Sequence, residues 1–200
     1  MSELKIGVLA LQGDFEEHTA VLHRLGLKAA EIRLPGELEA LDGLIIPGGE
    51  STTIGKLATT FELMEPLRKF AQAKPVWGTC AGAIFLSNDA RREQPLLKVM
   101  DITVERNAFG RQVDSFIIDL KIEGLAEPEQ PFPAVFIRAP LIASVGKNVD
   151  ILAELPDDVG REATIVAARQ GHLLATSFHP ELTEDDRVHR MFVEMVKEAR

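Results

Sequence analysis

With 200 residues, 46% of them hydrophobic and 26% charged, the chain suits one domain over residues 1–200, large enough to bury about 70% of its unfolded surface. A net charge of −9 argues against a nucleic-acid surface, and a single cysteine excludes an internal disulfide, as expected in a reducing cytoplasm. No apolar run approaches the ~20 residues of a membrane span, and Met1-Ser2-Glu3-Leu4-Lys5 lacks the basic and apolar regions of a signal peptide.

Leu4 to Leu11 reads as a buried strand and Gln12-Gly13 as a turn. Asp14 can cap a following helix, with Glu17 as its capping-box partner. Phe15, Val21, Leu22 and Leu25 give that helix an apolar stripe, and Gly26 stops it. Lys28 to Leu34 and Gly43 to Ile46 follow as strands, so the chain opens with a right-handed βαβ unit and a parallel sheet. Pro47-Gly48-Gly49-Glu50 is a turn leading to a helix capped at Ser51 or Thr52. Its adjacent glycines allow unusual backbone angles and outward N–H groups. The spacing to Lys56 excludes a phosphate loop. Pro66 opens the next helix, through Ala73.

Pro75 to Leu86 holds the only cysteine. Val76 and Trp77 end a buried strand, and Ala81 to Leu86 open an apolar helix, so Cys80 sits on the turn between them. Gly78-x-Cys80-x-Gly82 has the spacing of a nucleophile elbow, in which small neighbours let the chain turn sharply and present the side chain. The helix N-terminus favours thiolate, and the Ala81 N–H points toward whatever the sulfur attacks.

From Asp101 the pattern shortens. Asp101–Arg106, Ser115–Ile122, Ala134–Arg138 and Leu141–Val145 suggest antiparallel strands added to the sheet. Pro128, Pro131 and Pro133 mark a loop, Ala163–Arg169 and His172–Ser177 a hairpin, and Glu184–Lys197 an amphipathic helix. Before that helix stands Phe178-His179-Pro180-Glu181-Leu182. Pro180 keeps His179 extended, and residues two apart in an extended chain share a face, so Glu181 can back His179. Nucleophile, imidazole and carboxylate form a relay for acyl transfer. His18, His23 and His189 fall on expected helices and His172 starts a strand, so none is given a role. With no second cysteine and no clustered histidines, no metal site is expected.

Gly78-Thr79-Cys80-Ala81-Gly82 followed by His179-Pro180-Glu181 resembles the class I, triad-type glutamine amidotransferases. Leu9–Phe15, Pro47–Thr52, Arg106–Gln112, Phe136–Pro140 and Ser177–Leu182 narrow the likeness to the glutaminase subunits of pyridoxal 5′-phosphate synthases. The resemblance implies a three-layer α/β fold of flavodoxin-like type, with a mostly parallel central sheet, helices on both faces and added antiparallel strands. It implies glutamine hydrolysis through a cysteine thioester with no cofactor, and ammonia delivery to a separate barrel-shaped synthase subunit. Cys80, His179 and Glu181 would be catalytic. The Ala81 N–H and one from Gly48-Gly49 would meet the oxyanion. Gly49, Glu50, Ser51, Arg106, Ile137 and Arg138 would contact the substrate. Two alternatives stay open: a cysteine peptidase or small-molecule hydrolase with the same triad, and a non-catalytic subunit with a relic site.

Overall fold

A computed structural model of the chain describes residues 3–106, 115–156 and 164–200. The N-terminal half alternates strands and helices: β1 Lys5–Leu9, α1 Phe15–Arg24, β2 Lys28–Ile32, β3 Gly43–Ile46, α2 Ser51–Thr60, α3 Met64–Ala73, β4 Val76–Thr79 and α4 Ala81–Leu86. Strands dominate the rest: β5 Ser87–Asp89, β6 Met100–Glu105, β7 Ser115–Leu120, β8 Phe132–Ile137, β9 Leu141–Val145, β10 Asp150–Glu154, β11 Ile165–Gln170 and β12 Leu173–Thr176, closed by α5 Arg187–Glu198.

The main sheet runs β2-β1-β3-β4-β12-β11-β9-β6-β5, with β10 also on β11. From β2 to β12 all neighbours are parallel; from β12 to β6 they are antiparallel. β7 and β8 form a separate antiparallel ribbon.

Burial explains the layers. The central strands β3, β4 and β12 are buried at every residue, which is why they read as continuous apolar runs instead of alternating ones. Successive side chains nevertheless leave a strand on opposite faces. Leu44 and Ile46 join a core with Ile54 and Ala58 of α2, Leu67 of α3 and Phe85 of α4. Ile45 and Trp77 join a second core with Leu22 of α1 and Phe192 of α5. Helices therefore cover both faces, the α/β arrangement expected from the sequence. Among the described residues, no helix is long and apolar enough to cross a membrane.

Several local expectations change. β5 and β10 were not foreseen, the first being three polar-leaning residues and the second having one paired neighbour. Pro133 lies inside β8, not in a loop; among the described residues β8 pairs as a strand with β7 alone, so a residue without an N–H is tolerated there. Asp14 stands at the N-cap of α1 but its side chain makes no capping bond. The cap of α2 is Glu50, not Ser51 or Thr52: its carboxylate accepts from the N–H groups of Thr52 and Thr53 at 3.2 and 2.7 Å. Residues 107–112 of the Arg106–Gln112 segment and Ala163 of the expected hairpin lie outside the described residues.

β1 neighbours β2 on one side and β3 on the other, so the chain reverses its direction of growth between β1 and β3. In an open parallel sheet, the crevice at the carboxyl ends of such strands is where ligands bind. The turn after β4 is tightly packed there. A Cβ on Gly82 would collide with the Ile46 carbonyl oxygen at the end of β3, and one on Gly78 would lie 2.5 Å from the Gly82 backbone. Gly82→Ala should therefore lower stability by about 2 kcal/mol or more through overpacking. Gly36→Ala, where a Cβ meets nothing within 4 Å, should shift it by about 1 kcal/mol at most. Urea denaturation of both variants checks the contrast.

Candidate active site

Cys80 is the residue between β4 and α4, at φ 47° and ψ −104°. A non-glycine residue in this region is strained, and the surroundings hold it there. Its N–H donates to the Thr176 carbonyl of β12 at 2.8 Å, and its carbonyl accepts from Ile84 N–H at 3.3 Å. Gly78 and Gly82 do not themselves take the left-handed conformation. They let β4, α4 and β3 approach closely, while the cysteine carries the strained angle.

His179 follows β12. Its N–H donates to the Val135 carbonyl of β8 at 2.8 Å. Its Nδ1 lies 2.7 Å from Glu181 Oε1 and 3.4 Å from Asp14 Oδ2. The histidine–carboxylate pairing expected from the sequence is present, but its backbone is different. Pro180–Leu182 form a 3-10 turn, with Leu182 N–H donating to the His179 carbonyl at 3.3 Å, so Glu181 is wrapped behind the ring instead of extending along one strand face. Burial opposes charge on His179, yet hydrogen bonding to Asp14, Cys80 and Glu181 outweighs it and the pKa is pushed up to about 12. Glu181 is held above its ordinary value by burial, with His179 pulling the other way. With Nδ1 engaged by carboxylates, Nε2 is the nitrogen left to serve Cys80.

The glycine turn after β3 is tied to the turn after β1. The Gly48 carbonyl accepts from Asp14 N–H at 3.1 Å, and Glu50 N–H donates to Gln12 Oε1 at 2.7 Å. Gly49 is at φ 146°, and a Cβ there would come within 2.6 Å of Gln12 Oε1. A Cβ on Gly48 would come within 2.5 Å of the His179 ring, so that glycine lets the turn lie against the imidazole.

These turns enclose a cavity of about 450 Å³. Cys80, Ala81 and His179 line it together with Gly49, Glu50, Ser51, Arg106, Ile137 and Arg138. Two expected residues stay off the wall: Glu181 lies behind His179, and Gly48 packs against the ring. Arg106 reaches Glu50 Oε1 at 3.1 Å and Thr52 Oγ1 at 3.4 Å. Burial disfavours the Glu50 charge, but donors from Thr53 and Thr52 hold its pKa down at about 2, so it is an anion at neutral pH. Arg138 is in the left-handed region at φ 44°, just beyond β8.

Asp14, His179 and Glu181 are the one metal-capable grouping among the described residues, with ligand atoms within 4.8 Å of one another. A histidine kept protonated has no lone pair to give a metal, so the two carboxylates fit an imidazolium better than a metal ion.

Sequence reasoning gave Asp14 a capping role and His18 and His189 none. Asp14 instead lines the cavity and faces His179. His18, wholly buried, sits 3.3 Å from Glu181 Oε2 and 2.9 Å from His189 Nε2. One signal was available: His18 lies on the same helical stripe as Phe15 and Leu22, which implies burial.

The sequence pattern of the SNO glutamine amidotransferase family matches residues 8–198. The chain is 52% identical to the pyridoxal 5′-phosphate synthase subunit PdxT of Roseiflexus sp. (strain RS-1), over 96% of this chain and 100% of that one. It is 55% identical to the PdxT subunit of Dehalococcoides mccartyi (strain ATCC BAA-2266 / KCTC 15142 / 195), over 98% and 100%. A crystal structure of a glutamine amidotransferase superposes with a TM-score of 0.88 at 51% identity, covering 96% of this chain and 98% of that chain. PurLQS from Thermotoga maritima shares the fold at a TM-score of 0.67 and 15% identity, covering 100% of this chain and 97% of that chain. Matched over residues 8–198, nearly its whole length, the chain belongs to the SNO glutamine amidotransferase family.

Proposed function

We propose that this chain is the glutaminase subunit of a pyridoxal 5′-phosphate synthase, one domain over residues 1–200 that works in the cytoplasm. It hydrolyses L-glutamine to L-glutamate and ammonia, and the ammonia passes to a separate synthase subunit. The observation that carries the reaction is Cys80, strained at φ 47° on the cavity wall, beside a His179 whose ring is held charged.

The chemistry follows from those positions. An imidazolium beside Cys80 favours the attacking thiolate. The sulfur adds to the side-chain amide carbon of glutamine, and the carbonyl oxygen becomes an oxyanion. The Ala81 N–H and an N–H of the Gly48-Gly49 turn meet it, one such donor commonly contributing roughly 3–4 kcal/mol in the transition state. His179 gives its proton to the leaving nitrogen, the C–N bond breaks, and ammonia departs from a thioester. Water then attacks the thioester as His179 takes its proton; glutamate leaves and the sulfur is freed. Glu181 and Asp14, both against Nδ1, stabilise the imidazolium and fix its orientation. Glu50 supplies a fixed negative charge, and Arg106 and Arg138 supply positive ones, for the ammonium and carboxylate of a free amino acid. A peptidase with the same triad would have no use for both.

Cys80→Ala should abolish ammonia release from glutamine, by at least about 10⁴-fold, in a protein whose fold is intact. Wild-type turnover by that variant would falsify the assignment.

Glu181→Gln should lower turnover by roughly 100-fold or more while sparing alkylation of Cys80 by a glutamine-analogue electrophile better than His179→Asn does. Mass spectrometry after labelling, with a turnover assay in parallel, checks it; full turnover by Glu181→Gln would reduce the triad to a dyad.

A further inference from the structure

Behind Glu181 lies a pair of buried histidines with no part in the steps above. Glu181 uses Oε1 for His179; its Oε2 is buried and makes no hydrogen bond among the described residues. The group facing Oε2 is His18 Nε2, at 3.3 Å but off hydrogen-bond geometry, and the same nitrogen lies 3.2 Å from Thr79 Oγ1. His18 Nδ1 is 2.9 Å from His189 Nε2, and His189 Nδ1 is buried with no hydrogen bond among the described residues. Trp77 packs edge-on against both rings, at 5.5 and 4.9 Å between centroids.

Only one proton can sit between the two rings, and the surroundings decide which ring holds it. If His18 donated from Nδ1, a neutral His18 would turn a bare Nε2 lone pair toward the Glu181 carboxylate, and His189 would bury an unpaired Nδ1–H. If His189 donates from Nε2, His18 carries its proton on Nε2, facing Glu181 and Thr79, and the orphan on His189 is a lone pair. Unpaired buried acceptors are tolerated better than unpaired N–H donors. Burial drives both rings away from the charged form, with His189 held at about 3.

We propose that His18 is a positioning residue for hydrolysis: with its tautomer set by His189, it presents a neutral N–H to Glu181 Oε2 and keeps Oε1 turned to His179. A neutral donor suits this place. It orients the carboxylate without neutralising it, so the Glu181 charge remains available to the imidazolium, which a lysine or arginine there would compete for.

This inference rests on the proposed relay of Cys80, His179 and Glu181, and the test separates the two. A glutamine side chain reaches as far as Nε2 of histidine, whereas asparagine reaches only as far as Nδ1. With the synthase subunit present, His18→Asn should lower kcat for ammonia release by roughly 10-fold or more, the cost of leaving a buried carboxylate oxygen with no donor facing it, with KM for glutamine unchanged. His18→Gln should keep kcat within about threefold, although both variants lose thermal stability to a similar degree. In a Glu181→Gln background, His18→Asn should cost no more than about twofold further, since it acts through the group already removed. Equal kcat for the two His18 variants, or the same fold-loss with and without Glu181→Gln, overturns the positioning role. Turnover by Cys80→Ala in the same assay would instead remove the relay on which it rests.

Discussion

The site depends on one backbone constraint: Cys80 must stay in a left-handed conformation at the end of β4. A side chain there pays strain of order 1–3 kcal/mol, so the residue persists only where neighbours over-determine it. Three contacts do so. Thr176 accepts its N–H from the next strand, the Ile46 carbonyl lies against Gly82, and Gly82 lies against Gly78. Each comes from a strand or helix buried on both sides, so the sulfur is aimed by the middle of the sheet and not by a surface loop. The same parallel strands deliver the other parts. The turn after β1 gives Asp14, the turn after β3 the glycines and Glu50, and the segment after β12 gives His179.

Electrostatics completes what the backbone begins. His179 is a buried ring flanked by two carboxylates and the cysteine, and that surrounding outweighs the cost of burying its charge. Beyond Glu181 the polarity changes: His18 and His189 are also buried, but with no carboxylate at bonding geometry, so burial keeps them neutral. Charge is thus confined to the imidazole that faces the cavity. The other two rings offer dipoles.

Much of this was legible in the sequence because it is local. The elbow glycines, the strand–turn–helix pattern around Cys80 and the His179-Pro180-Glu181 run each fit within a few residues. The buried strands showed as apolar runs, and Ala81–Leu86 is the helix at its expected bounds. What stayed hidden depends on distance or on competition. His18 and His189 are 171 residues apart, and nothing short-range joins them. Asp14 is an ordinary capping residue in sequence, but a histidine at 3.4 Å claims its side chain. Glu50 was expected to contact substrate while Ser51 or Thr52 capped the helix, yet the turn leaves its carboxylate over the first N–H groups of α2. Pro133 argued against a strand, but among the described residues β8 pairs as a strand with β7 alone. Even the pairing of His179 with Glu181 was expected from an extended chain and is made by a 3-10 turn.

The protonation state of His179 tests the central claim most directly. Nitrogen-15 NMR of a histidine-labelled protein, with His179 assigned by comparison with His179→Asn, reports whether both ring nitrogens carry protons. Held by Glu181, Asp14 and Cys80, the ring should remain an imidazolium from about pH 6 to about pH 9, far above the ordinary histidine range. A ring that titrates near the ordinary value of about 6.5 would contradict it, because at neutral pH and above the sulfur would then face a neutral base and not an imidazolium.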